Sequence, residues 1–318
     1  MYSRVFTRSV SSGVESRQIF DDFLRFVKTP KNLRPFIYRK KNANKLLAMD
    51  LIDPETKRPI QPREPVHVPG ASVYNDIIFN TSSAQELESF MREWRNITPR
   101  RKEFWGYFNS THLQNALLAS TFRFDSLRST LNLLYQLQPF FVKSKQMDAF
   151  DVDVWFNSVL MCQLHRNEFK NVKDSSMVAS GLKKLSSTVT KKEDTTGLAK
   201  ELIGALAHQQ GATVEKLPRF CKTSEVILQS IDVQQASASQ LNVYLAKNRS
   251  NYLLSRTILR YGSSSPVEVS KFVENYQLAL KQADKTDPYD RYLSFYEKCK
   301  SEKESEPQEE EQPKEEDK

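Results

Sequence analysis

The apolar positions of this chain change rhythm several times, and those changes predict its organisation. From Glu15 to Lys28 they fall at Ile19, Phe20, Phe23, Leu24 and Val27, the spacing of one helix face, with Pro30 expected to end the helix. After Thr29 the periodicity disappears. Pro30 and Pro35 break the next stretch, and Pro54, Pro59, Pro62, Pro65 and Pro69 punctuate Asp50 to Gly70. Proline lacks an amide donor and biases its predecessor away from helix, so the reading is a mostly extended arm followed by an irregular connector.

Past Gly70 the pattern turns helical. Ser83 and Glu86 form a capping-box pattern ahead of Leu87, Phe90, Met91 and Trp94, and Thr98 with Pro99 can start a helix burying Phe104, Trp105 and Phe108. Thr111 to Leu137 reads as two helices about Asp125, Val152 to Phe169 as one, and Met177 to Leu185 as a weaker one. A Ser, Thr and Lys-rich stretch, Ser186 to Thr196, marks an internal boundary. Beyond it, helices are expected over Thr196 to Gln209, Thr223 to Val233, Ala236 to Ala246 and Ser250 to Arg260, with Gly262 as a left-handed cap. Ser265, Pro266 and Glu268 open another, and Asp287 with Pro288 the last.

The fold class is therefore all-α: an irregular, solenoid-like body of helical hairpins with an extended basic N-terminal arm and a disordered acidic C-terminal tail. The expected segments are 1–12 as a mitochondrial targeting peptide, 13–70 as helix, arm and connector, 71–186 as a helical domain, 187–196 as a linker, 197–300 as a second helical segment and 301–318 as the tail. With only eight glycines in 318 residues, the chain is poor in positions free to take positive φ. Doubly wound α/β turns and dense hairpins need many of them.

Charge sharpens this picture. The net +8 includes a tail, Glu302 to Lys318, whose nine acids and three lysines contribute −6, so the rest stands at +14. A basic body favours a polyanion partner. Between Phe23 and Leu47 stand eight cations, Arg25, Lys28, Lys31, Arg34, Arg39, Lys40, Lys41 and Lys45, without one acid. Phe23, Phe26, Phe36 and Tyr38 are threaded among them. Cations meet phosphates and aromatic faces stack on bases, so the stretch is a candidate RNA-gripping arm; a solvated linker is the plainer alternative. Arg100, Arg101 and Lys102 form a second candidate, because cations in a first helical turn oppose its dipole and a phosphate would relieve that conflict.

Other chemistry is missing. There is no Gly-rich phosphate loop, no G-x-S-x-G elbow, no HExxH and no paired CxxC, so the expectation is a non-enzyme with no cofactor, no metal site and no small-molecule substrate. Three well-separated cysteines, Cys162, Cys221 and Cys299, point to a reducing compartment, and no apolar run is long enough for a membrane span. Cys162 and His165 share a helix face, read as a buried thiol beside a surface histidine. Asp151 and Asp153 point to different sides of a helix or cap its start, which disfavours an acid and base pair, and Trp94, Trp105 and Trp155 are read as core.

The first residues, MYSRVFTRSVSS, carry Arg4, Arg8 and five hydroxyl residues with no acid before Glu15, the composition of a mitochondrial targeting peptide. Together with FDDFLRFVKTPKNLRPFIYRKK, this run resembles a fungal mitochondrial small-subunit ribosomal protein of the kind without a bacterial counterpart. The resemblance implies a matrix location, a structural role, and ribosomal RNA and other mitochondrial ribosomal proteins as partners. TFRFDSLRSTLNLLYQLQ loosely resembles half of a pentatricopeptide-type unit, which keeps open a freestanding mitochondrial RNA-binding factor acting in transcript processing or translation. No fixed repeat period supports that alternative.

Overall fold

A computed structural model describes residues 11–53, 57–97, 109–143, 147–173, 176–213, 217–221, 225–264 and 266–305. The expected targeting peptide up to residue 10, the helix expected after Pro99 with Arg100, Arg101 and Lys102, and the tail from 306 lie outside them. Among the described residues the protein is all-α: thirteen α-helices and no strand, only isolated bridges joining Ile52 to Pro59 and Asp151 to Lys191. The chain forms two compact units, one from residues 1–116 and 133–149, the other from 117–132 and 150–318. The Ser186 to Thr196 stretch falls inside the second unit.

In the first unit, α1 (Ser11–Lys28) packs against α4 (Ala71–Asn80) and α5 (Ala84–Ile97). Phe20, Phe23, Leu24 and Val27 are buried, and the Phe20 ring meets Phe90 edge-on at 4.9 Å and Tyr74 at 6.0 Å. Ile19, expected on the same stripe, sits at its solvent margin, 39% exposed. Ser83 caps α5 by accepting from the Glu86 amide at 3.2 Å, while the Glu86 carboxylate reaches back to the Ser82 amide at 2.7 Å, one residue earlier than a simple capping box.

The arm is not extended. Two short helices, α2 (Arg34–Ile37) and α3 (Ala43–Ala48), with a 3-10 turn at Lys40–Asn42 between them, fold it onto a small core of Ile37, Tyr38 and Leu46. Its prolines start turns instead of preventing them: Pro35 lies in the first turn of α2, and the Pro30 carbonyl accepts from the amides of Leu33 and Arg34. The connector is tied to this core by Ile60 N to Leu51 O at 2.8 Å and Arg63 N to Ile37 O at 2.7 Å.

The second unit is built on α8 (Asn157–Phe169), with α10 (Leu198–Gln210) and α11 (Ala238–Tyr261) packed on it and α12 (Val267–Gln282) and α13 (Pro288–Ser305) packed on α11. The helices around Asp125 are α6 (Ser110–Phe122) and α7 (Leu127–Lys143), and the weaker one is α9 (Ser176–Thr188). The start of the Val152 to Phe169 helix is a wide π-helical turn over Val152–Phe156, where Asp151 caps by accepting from the amides of Val154 and Trp155 at 3.0 and 2.8 Å. Asp153 is used structurally as well, accepting from Thr195 N at 3.0 Å.

Four further expectations change. The helices expected at Ala236 to Ala246 and Ser250 to Arg260 are one helix, α11, opened by a Ser237 and Gln240 capping box; the Asn248 side-chain amide bonds the Tyr244 carbonyl inside it at 3.1 Å. The described part of Thr223 to Val233 carries no helix; its main-chain groups are bonded instead to Thr196, Tyr244 and Asn275. Gly262 is not left-handed (φ −68°, ψ 148°); it serves close approach, since a Cβ there would lie 2.7 Å from the Ile258 carbonyl oxygen. Finally, α13 continues to Ser305, past the expected start of the tail, as the good helix formers Glu and Lys allow.

Candidate nucleic-acid interface

The candidate surface is the outer side of the folded arm. Arg25 and Lys28 leave the last turn of α1, where cations complement the helix dipole; Lys31 follows in the turn, and Arg39, Lys40, Lys41 and Lys45 lie on the 3-10 turn, α3 and their approach. All seven are exposed. Lys28, Lys31, Arg39, Lys41 and Lys45 have no acidic partner among the described residues. Arg25 pairs with Asp22 at 3.1 Å and Lys40 with Glu64 at 3.0 Å, but both pairs are solvent-exposed and weak enough to exchange for a phosphate. Lys57 and Arg58, on the connector, are exposed too.

Arg34 does something else. Its Nε donates to the Thr29 carbonyl at 2.9 Å and its Nη2 to the Val27 carbonyl at 2.7 Å, while the guanidinium lies 4.7 Å from the centre of the Phe26 ring. It closes the C-terminus of α1, whose last carbonyls have no helical partner of their own. The aromatics are also turned inward. Phe23 is 1% and Tyr38 5% exposed, Phe26 packs edge-on against Tyr38 at 5.0 Å, and Phe36 packs on the small core. With Phe23 and Tyr38 buried and Phe26 and Phe36 half-buried, what faces solvent is chiefly cationic, suited to phosphates more than to bases.

A groove of about 560 Å³ runs beside this surface, floored by Leu24, Leu33, Ile37 and Ile60. Asp21, Asp53 and Glu93 stand in its walls together with Arg25, Lys28 and Arg63. Such mixed charge does not make a selective pocket for a small anion.

Two arginines of the second unit are used internally. The Arg256 guanidinium donates to Asp287 at 2.7 Å and to Asp290 at 2.8 Å, and the Tyr252 hydroxyl also donates to Asp287. Arg260 donates to Glu168 at 2.8 Å, and Glu168 accepts from the Tyr261 hydroxyl as well. That hydroxyl lies 2.7 Å from His165 Nδ1, and the Tyr289 hydroxyl lies 3.3 Å from Nε2. Since Tyr261 donates to Glu168, Nδ1 carries the imidazole proton and Nε2 accepts from Tyr289. His165 is fully buried rather than on the surface, because α8 is covered on nearly every side.

Burial, with the Arg260 charge nearby, holds the imidazole down to about 3, so it stays neutral. Burial pushes the Cys162 thiol up to about 12, which leaves it inert. Every polar atom of His165 has a partner, which describes a structural histidine and not a poised acid or base. Among the described residues no His, Cys, Asp and Glu side chains gather as a metal site requires, and no helix is long and apolar enough to cross a membrane.

Sequence reasoning placed the cations but not their partners. The inward role of Arg34 had one visible signal, its position five residues after the helix-ending Thr29. The Tyr261, Tyr289 and His165 cluster had none, since His165 lies 96 and 124 residues from its two partners.

Known families place the chain. Residues 3–80 match the MRP13-like N-terminal domain and residues 83–311 the MRP13-like C-terminal domain. These two matches run through both compact units. The chain therefore belongs to the MRP13-like family, a family of structural mitochondrial ribosomal proteins and not of enzymes.

Proposed function

We propose that the protein is a constituent of the small subunit of the mitochondrial ribosome in the matrix, laying the cationic face of its first unit on ribosomal RNA and its helical body against neighbouring proteins. One observation carries this reading: Lys28, Lys31, Arg39, Lys41 and Lys45 stand exposed on a folded scaffold, with no acidic partner among the described residues. Their charges neutralise phosphates and release counterions, and the short helices fix where they point. Arg25 and Lys40 join them by exchanging weak surface pairs.

Sedimentation of a mitochondrial lysate tests the assignment. The chain is expected in the small-subunit fractions, before and after a high-salt wash; recovery only at the top of the gradient overturns it. Replacing Arg39, Lys40 and Lys41 together by Ala tests the surface. The slope of log affinity for RNA against log salt should fall by about two, near one per lost contact, because Lys40 must first give up Glu64. An unchanged slope would show those charges to be merely hydrated.

A further inference from the structure

The segment after Glu225 carries neither helix nor strand, and its main chain is held along one side at alternate residues, the spacing of an extended chain. Ile227 N donates to the Thr196 carbonyl at 3.0 Å, the Gln229 carbonyl accepts from the Tyr244 hydroxyl at 3.1 Å, and Ile231 is gripped at both ends by the Asn275 side chain, N to Oδ1 at 3.1 Å and O from Nδ2 at 2.8 Å. These anchors fall on alternate residues. In an extended chain the amide and carbonyl of one residue point to the same side and those of the next residue to the opposite side. The amides and carbonyls of Leu228 and Ser230 therefore point away from the anchors, and they have no partner among the described residues.

Val226 to Ile231 contains no proline and no charge, devices that usually blunt an open strand, and four of the eight residues from Val226 to Val233 are β-branched. The Ile227 side chain is 60% exposed, and so is Leu278 at 56%, one helical turn beyond the gripping Asn275. Glu225 and Asp232 stand exposed at the two ends. Gly197 lets the segment lie close, for a Cβ there would come 2.5 Å from the Glu225 carbonyl oxygen.

We infer that residues 226–232 are a docking edge to which a neighbouring protein adds an extended segment as a strand, paired through the main-chain groups of Leu228 and Ser230. The alternating free donors and acceptors specify a peptide backbone rather than a nucleic acid. Ile227 asks for an apolar side chain on the incoming segment, and the acids at the two ends ask for basic residues flanking it. The inference rests on the ribosomal reading for where that neighbour is met.

Hydrogen–deuterium exchange, on the isolated chain and on the purified particle that contains it, tests this. The amides of Ile227 and Ile231 should be slow in both, and those of Leu228 and Ser230 fast in the isolated chain but slowed by about tenfold or more in the particle. Ser230→Pro removes one outward donor while fitting the extended backbone, so it should keep the unfolding midpoint and lose the protection at Leu228. Ile231→Pro, which removes an inward donor, should lower the midpoint.

Fast exchange at Leu228 and Ser230 in a particle that carries the chain overturns the docking edge and leaves the ribosomal reading standing. Failure of the chain to travel with the particle overturns both. Protection that vanishes with ribonuclease, or that arises in the isolated chain as its concentration rises, assigns the edge to RNA or to a second copy and overturns the inference.

Discussion

In the first unit the lysines and arginines from Lys28 to Lys45 mostly face water without a counter-charge, whereas in the second Arg256 and Arg260 are bound into a web of carboxylates and phenols. The residue types are the same and the consequences opposite. A paired, half-buried guanidinium helps hold helices together and would cost much to withdraw; an exposed lysine contributes almost nothing to folding and is available to a phosphate. A cluster of cations signals a binding surface only once its partners are known. Arg34 proves the point inside the first unit itself, because it stands in the middle of the cationic run yet binds only its own chain among the described residues.

The comparison breaks most readily at Arg256. Its side chain and that of Asp287 are only 20% and 17% exposed, so Arg256→Ala should destabilise the protein by about 2–4 kcal/mol in denaturant unfolding, leaving the half-buried Asp287 carboxylate without its counter-charge and the Tyr252 oxygen without the guanidinium donor. A loss below about 0.5 kcal/mol would place this pair with ordinary surface bridges.

Acid probes the same web next. The folded protein holds His165 near 3, against 6.5 for an ordinary histidine, so between those values the unfolded chain takes up a proton that the folded one refuses. Stability should therefore fall as pH drops below 6.5, at up to about 1.4 kcal/mol per unit. Asp151 and Asp194, both raised by burial, oppose this near and just above the ordinary carboxylate range, where the folded state keeps protons longer. His112, also lowered by burial, acts in the same direction, so His165→Gln should make the curve shallower between pH 6 and 5 without flattening it; an identical curve would mean that another group sets it.

Within the first unit, Arg34→Lys should cost about 1–2 kcal/mol by chemical unfolding, since an ammonium cannot bridge two carbonyls and lie on Phe26 as a planar fork does. The salt slope of RNA binding should not move. Lys28→Ala with Lys31→Ala should do the reverse, changing stability by less than about 0.5 kcal/mol and reducing the slope. A matching slope change in both variants would erase the distinction between inward and outward cations.

Much of the helical plan was legible because it depends on local signals: the Phe20, Phe23 and Val27 stripe, Ser83 before α5, Gly211 after α10 and Asp287 before α13. What was not legible depends on distant groups. Nothing near Ile231 announces that Asn275 will satisfy both of its main-chain groups, so an apolar run that could be helix is held out of one. Asn248 to Ser250 look like a break, yet α11 passes through them: Asn248 is buried with its side-chain amide bonded to the Tyr244 carbonyl, and Tyr252, Leu253 and Leu254 beyond it are buried too. The positions of the exposed cations were legible throughout; whether each one had a partner was not, and that distinction defines the candidate surface.

The Arg34 cap has a thermodynamic consequence. By closing α1 and seating α2 beside it, the guanidinium leaves the cations from Lys31 to Lys45 on a backbone that is ordered before any partner arrives. A disordered basic tail would fold as it bound and bury its own apolar residues at that moment, with a large negative heat-capacity change. Here Ile37, Tyr38 and Leu46 are buried already, so association with RNA should show a small heat-capacity change, as for one rigid surface meeting another.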